Sequence, residues 1–265
     1  MQRYKLNKLA KRGKGARVSL PPITERAGSV LEYRTALRRI LAEQAREVRE
    51  TVIPAYRSEL QFKRLVQDDN SWFERLRALK TSLEAVVADT VERIIGLEAK
   101  RHTKTFRNAV KRALGIDLGA VVRDEDLEDY LRAAVSRNVS LIRGLNDDLA
   151  KRIELTVYNA KISGRSVEQL RKALQKDFKV AKNRADLIAQ DQMAKVTADL
   201  NEIRQTQAGV ASYSWLTSKD ERVRARHASI GGTVYKWGQP TGAEEGLPPG
   251  KPIRCRCTAV GIVEF

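Results

Sequence analysis

The stretch Asn183–Leu216, NRADLIAQDQMAKVTADLNEIRQTQAGVASYSWL, contains the change of period that sets the architecture. Its first part repeats apolar residues at helical spacing: Ala185, Ile188, Ala189, Met193, Val196, Leu200 and Ile203. Gly209 is a C-terminal stop for that helix. Val210 to Leu216 then reads as a strand. Long helices are therefore expected before residue 210, and a small β-containing module after it.

Working back from Asn183, helical signals dominate. Ser166-Val167-Glu168-Gln169 is a capping box, expected to open a short helix to about Leu174. A helix is expected over about Ser140–Ile162, and another from a cap at Asp124 to about Arg137. Ser71-Trp72-Phe73-Glu74 is a second capping box. It opens a long helix to Leu114, with Leu76, Leu79, Leu83, Val86, Val87, Val91, Ile94, Ile95 and Leu97 as its apolar stripe and Gly115 as its stop. Asp68-Asp69-Asn70 marks a turn. Pro54 interrupts the pattern that runs from Val30 to about Val52. The expected fold class is mainly α, with a small α+β C-terminal module of short antiparallel strands. The expected regions are a flexible basic arm over residues 1–30, a long-helix docking region over 31–122, a second helical region over 123–209, and the module over 210–265.

Charge narrows the class of partner. Fifty Lys and Arg stand against 33 Asp and Glu, giving a net charge of +17. An excess of this size favours a polyanionic neighbour. Lys5, Lys8, Lys11, Arg12, Lys14 and Arg17 crowd the expected arm, where apolar content is thin. A solvated tail without a partner is the plainer reading of that arm. No apolar run reaches membrane-spanning length, and the basic start lacks the apolar stretch of a signal peptide. The chain is expected to be made in a cytosol and kept there or in something assembled there. Its two cysteines exclude a disulfide framework.

Residues 210–265 hold both cysteines, two of the three Trp and four of the seven Pro. Cys255 and Cys257, one residue apart, can reach one soft ion, and His227 is one of only two histidines. Zinc takes Cys and His donors and usually four of them. Asp220 is a candidate fourth ligand, because seven residues before His227 in a helical segment it would share a face. Glu221 and water are others. The alternative is a reduced, buried Cys pair with His227 hydrogen-bonded nearby. Arg222, Arg224 and Arg226 would bind phosphate or form a salt-bridged face.

Trp215, Thr217, Asp220, Glu221, Arg222, Val223, Arg224 and His227, then Gly231 or Gly232, Pro248, Pro249, Cys255, Arg256 and Cys257, form a long run. That run resembles the signature of the phage Mu F-like head-morphogenesis proteins. The resemblance covers about residues 140–262 and includes Gly164-Arg165-Ser166 and Ala185–Ala189. It departs where the family lead-in continues Arg-Thr-Glu, since Ala189 is followed here by Gln190, Asp191 and Gln192.

The resemblance implies a non-enzymatic minor capsid protein, present in several copies inside the head near the portal vertex. It would contact the portal protein and the packaged double-stranded DNA without sequence preference. Its place would be the virion, after synthesis in the host cytoplasm. Two other classes stay open on the residues alone: a cytosolic sequence-independent DNA-binding protein, and a zinc-dependent enzyme using the Cys/His cluster. Against the enzyme, the chain has no phosphate-binding loop and no Gly-x-Ser-x-Gly.

Overall fold

The structure is a computed structural model that describes residues 3–62, 71–120 and 127–265. In order, the elements are α1 (Leu6–Leu9), β1 (Arg17–Ser19), α2 (Ala27–Glu47), α3 (Ile53–Phe62), α4 (Ser71–Leu114), α5 (Glu128–Ile162), α6 (Val167–Gln207), β2 (Ser212–Leu216), α7 (Ala225–Ser229), β3 (Val234–Lys236) and β4 (Thr258–Glu264). Long helices and one small antiparallel sheet are the expected fold class. The expected turn at Asp68–Asn70 and the cap at Asp124 lie outside the described residues.

Several helix ends follow their sequence signals. Gly115, Gly164 and Gly209 adopt positive φ at the ends of α4, α5 and α6. The Ser166 capping box forms reciprocally: the Gln169 N–H donates to Ser166 Oγ (3.2 Å), and the Ser166 N–H donates to Gln169 Oε1 (2.8 Å). The helix interiors differ from expectation. Helix α6 runs unbroken from Val167 to Gln207, because nothing between its two expected pieces is Gly or Pro. Helix α5 is also one helix, and Asn138 does not break it. The Asn138 amide donates to the Ala134 carbonyl and accepts from the Tyr33 hydroxyl at 2.7 Å. Pro54 leaves the path continuous. A π-helical turn over Val48–Val52 widens the helix just ahead of it, and Thr51 Oγ1 caps the Glu47 carbonyl at 2.7 Å.

The chain forms two compact units. One comprises residues 31–94 and 132–189, and its regular elements among the described residues are all helices. There Arg38 makes a two-pronged pair with Asp186 (2.9 and 2.6 Å), tying α2 to α6. The other comprises residues 1–30, 95–131 and 190–265. It contains the sheet, in the order β1-β4-β2-β3, with every pairing antiparallel. The units are thus discontinuous in sequence and do not follow the expected linear division.

The arm reading fails for residues 3–30. Strand β1 pairs with the edge of β4, placing Arg17 opposite Glu264. Leu6, Ala10, Leu20 and Ile23 enter a core with Phe106, Val110, Leu114, Leu118, Val210 and Val263. The four apolar residues are sparse, but each is buried, and burial at about 1.5 to 3 kcal/mol per large side chain offsets the ordering cost. Lys5, Lys8, Lys11, Arg12, Lys14 and Arg17 remain exposed on this packed segment.

Candidate functional site: a buried His/Cys cluster

Strand β2 and the turn before β4 bring the signature residues together. Trp215 is 1% exposed and packs with Ala243, Cys255 and Cys257. Its indole lies edge-on to the His227 ring, with centroids 5.2 Å apart. His227, on the short helix α7, is buried with both cysteines. Its Nδ1 is 3.6 Å from Cys255 Sγ and 3.7 Å from Cys257 Sγ. On the other side of the ring, Nε2 is 2.6 Å from Glu244 Oε2. An ionised carboxylate only accepts, so Nε2 bears the proton and Nδ1 faces the sulfurs.

The two thiols are not equivalent. A hydrogen bond from Cys257 and another from the Gly250 N–H hold Cys255 below the usual thiol range, against the upward push of burial. The hydrogen bond to Cys255, together with burial, pushes Cys257 up. The Trp215 Nε1–H is buried without a close hydrogen-bond acceptor. The His227 hydrogen bond holds the Glu244 carboxyl below the usual range. Gly250, at φ +87, can donate to Cys255 because its backbone runs against α6: a Cβ there would meet the Ala198 Cβ at 2.8 Å.

Asp220 does not join the cluster. Residues 220–224 form a turn, and Arg224 is extended (φ −61, ψ 142), so the helical spacing that would bring Asp220 over His227 is absent. Asp220 instead caps the Arg222 N–H at 3.0 Å and pairs with Arg256 at 2.7 Å. The arginines act as braces. Arg224 reaches the Ile253 carbonyl (2.5 Å) and Glu244 (3.3 Å), and Arg226 reaches the Gly242 carbonyl. Pro249 is buried and lines a cavity of about 360 Å³ with Thr24, Glu25, Thr217, Cys255 and Cys257. Burial raises the Glu25 carboxyl there to about 7, with Arg256 opposing. Asp191, where the lead-in departs from the family, accepts the Arg254 N–H at 2.8 Å.

Glu244 was not foreseen, because it lies in the loop joining β3 to β4, where spacing says nothing of its partners. His102 was missed too. It sits in a second buried cluster, where its Nε2–H donates to Asn201 Oδ1 (3.0 Å) and its Nδ1 accepts from Arg204 (2.7 Å). Burial first, then the Arg204 charge, pushes His102 down to about 3. The histidine is therefore neutral when folded. Between pH 6.5 and 3 the unfolded chain binds the extra proton, so stability falls as pH drops through that window. The loss should be on the order of a few kcal/mol. His102→Gln, which offers a donor and an acceptor but no titration, should flatten the pH dependence of urea midpoints between pH 7 and pH 4. An unchanged slope would remove His102 from the account.

Comparison with known proteins agrees with the signature. Residues 151–260 match the model of the family described as Phage Mu protein F like protein, a family of phage head morphogenesis. An uncharacterized protein of Haemophilus influenzae is 28% identical over 168 residues, covering 63% of this chain and 37% of that protein. The chain thus spans little more than a third of that relative's length. No solved structure matches the chain. No helix among the described residues is long and apolar enough to cross a membrane.

Proposed function

We propose, from the match of residues 151–260 to the Phage Mu protein F-like family, that this chain is a minor head protein of a tailed phage. It sits inside the capsid at the portal vertex in several copies, and it touches portal protein and packaged DNA during head assembly. The family match carries this reading. Charge supports it: the net +17 and the exposed Lys5, Lys8, Lys11, Arg12, Lys14 and Arg17 suit a surface laid against DNA phosphates. Because β1 anchors this segment, its backbone would meet DNA already ordered, leaving only the side chains to be fixed. Such contact is sequence-independent and weakens steeply with salt. The role proposed is structural rather than catalytic.

The experiment is a nonsense allele in the phage or prophage that encodes the chain, scored by electron microscopy of induced lysates. The reading expects far fewer DNA-filled heads, with recovery when the chain is supplied in trans. Normal yields of filled, infectious heads without the chain would overturn it and favour a DNA-binding protein that stays in the cell.

A further inference from the structure

We propose that His227 Nδ1, Cys255 Sγ and Cys257 Sγ bind one zinc ion, that Glu244 orients the histidine from behind, and that water from the adjacent cavity completes the coordination. The three donor atoms lie within 4.8 Å of one another, and all three residues are buried. A tetrahedral zinc with bonds of about 2.0 Å to nitrogen and 2.3 Å to sulfur separates N from S by about 3.6 Å. The observed separations are 3.6 and 3.7 Å. A site held together by thiol hydrogen bonds alone is a poorer account. Nδ1 opposite a protonated Nε2 has one lone pair, and it faces two sulfurs at nearly equal distance.

The surroundings match the needs of a metal-bound imidazole. A histidine ligand characteristically donates its other N–H to a carboxylate, which fixes the tautomer and strengthens the donor. Glu244 occupies that place at 2.6 Å, and Arg224 holds Glu244 in turn at 3.3 Å. The Gly250 N–H at 3.4 Å from Cys255 is a donor of the kind that supports a bound thiolate. The unpartnered Trp215 Nε1–H is a second donor in the same cluster. As zinc binds, both thiols release their protons to solvent. Two thiolates then neutralise the dication, and the buried complex carries no net charge. Among the described residues no fourth His, Cys, Asp or Glu joins the three. Both thiols line the cavity of about 360 Å³, which has room for a water ligand.

The inference is independent of the head-protein reading, and its test needs no phage. The full chain, purified from cells grown with zinc, should contain close to one zinc per chain by elemental mass spectrometry. Cys255→Ser and Cys257→Ser should each lose it. Glu244→Gln should weaken zinc binding about 10- to 100-fold, the usual effect of removing a carboxylate behind a ligating histidine. Should the cysteine variants fail to fold, cobalt decides the matter: metal-stripped wild-type chain titrated with Co²⁺ should develop thiolate-to-cobalt charge-transfer absorption. Folded wild-type chain that holds no zinc and develops no such absorption would overturn the proposal. So would folded cysteine variants that keep a full complement of zinc.

Discussion

Arg204→Met should lower stability by about 3 to 5 kcal/mol. Arg204 is 1% exposed. Its guanidinium donates to His102 Nδ1 (2.7 Å), Thr103 Oγ1 (2.6 Å) and the Ala99 carbonyl (3.1 Å), tying α6 to α4. Removing it deprives two buried acceptors, His102 Nδ1 and the Ala99 carbonyl, and the half-buried Thr103 hydroxyl of a charged donor at once. Each such loss costs about 1 to 3 kcal/mol where water cannot enter. Urea unfolding followed by far-UV circular dichroism checks this. Arg204→Lys, with a compact ammonium in place of the planar fork, should recover only part of the loss. A cost below about 1 kcal/mol for Arg204→Met would mean that other donors serve these acceptors.

Trp215→Ala should cost about 3 to 5 kcal/mol and loosen the cluster around it. The ring is among the largest fully buried side chains, and it contacts the His227 and Tyr235 rings edge-on. Trp215→Phe separates volume from polarity. The indole N–H has no close acceptor, so losing it strands no partner. The phenylalanine variant should therefore lose roughly half as much or less, as a smaller ring in the same pocket. Near-UV circular dichroism and proteolysis of residues 210–265 give the readouts. Equal losses for the two variants would mean that the N–H, and not the packing, matters.

These positions show what the sequence could and could not reveal. Capping boxes and stop glycines act within a few residues, so Ser71, Ser166, Gly115 and Gly209 marked helix ends correctly. The apolar face of α6 was also legible, since Ala185, Ala189, Met193, Val196 and Leu200 are all buried. Its other face was not. Thr197, Asn201, Gln205 and Gln207 have the polar pattern of a solvated surface, yet all are buried. Distant segments cover them: Asn201 donates to the Ile23 carbonyl, Gln205 to the Ala259 carbonyl, and the Gln207 carbonyl accepts from the Arg3 and Tyr4 N–H groups. That covering made the expected loose arm into a packed strand and helix.

The candidate site divides in the same way. His227, Cys255 and Cys257 were legible because their donor chemistry is rare in this chain, which has two His and two Cys. Asp220 was misplaced because its position rested on an assumed helical turn, whereas the backbone there is extended at Arg224. Glu244 was invisible because acidic loop residues are common, and only the folded chain shows which one faces a histidine.

The central claim, that this is a structural component of a phage head, meets its most direct test in particle composition. Phage particles from the strain that encodes the chain would be purified, treated with nuclease and quantified by mass spectrometry against the major capsid protein. The account predicts this chain at a few to tens of copies per particle, protected from protease until the head is opened. Its absence from both mature particles and proheads, while abundant in the lysate, would contradict the account.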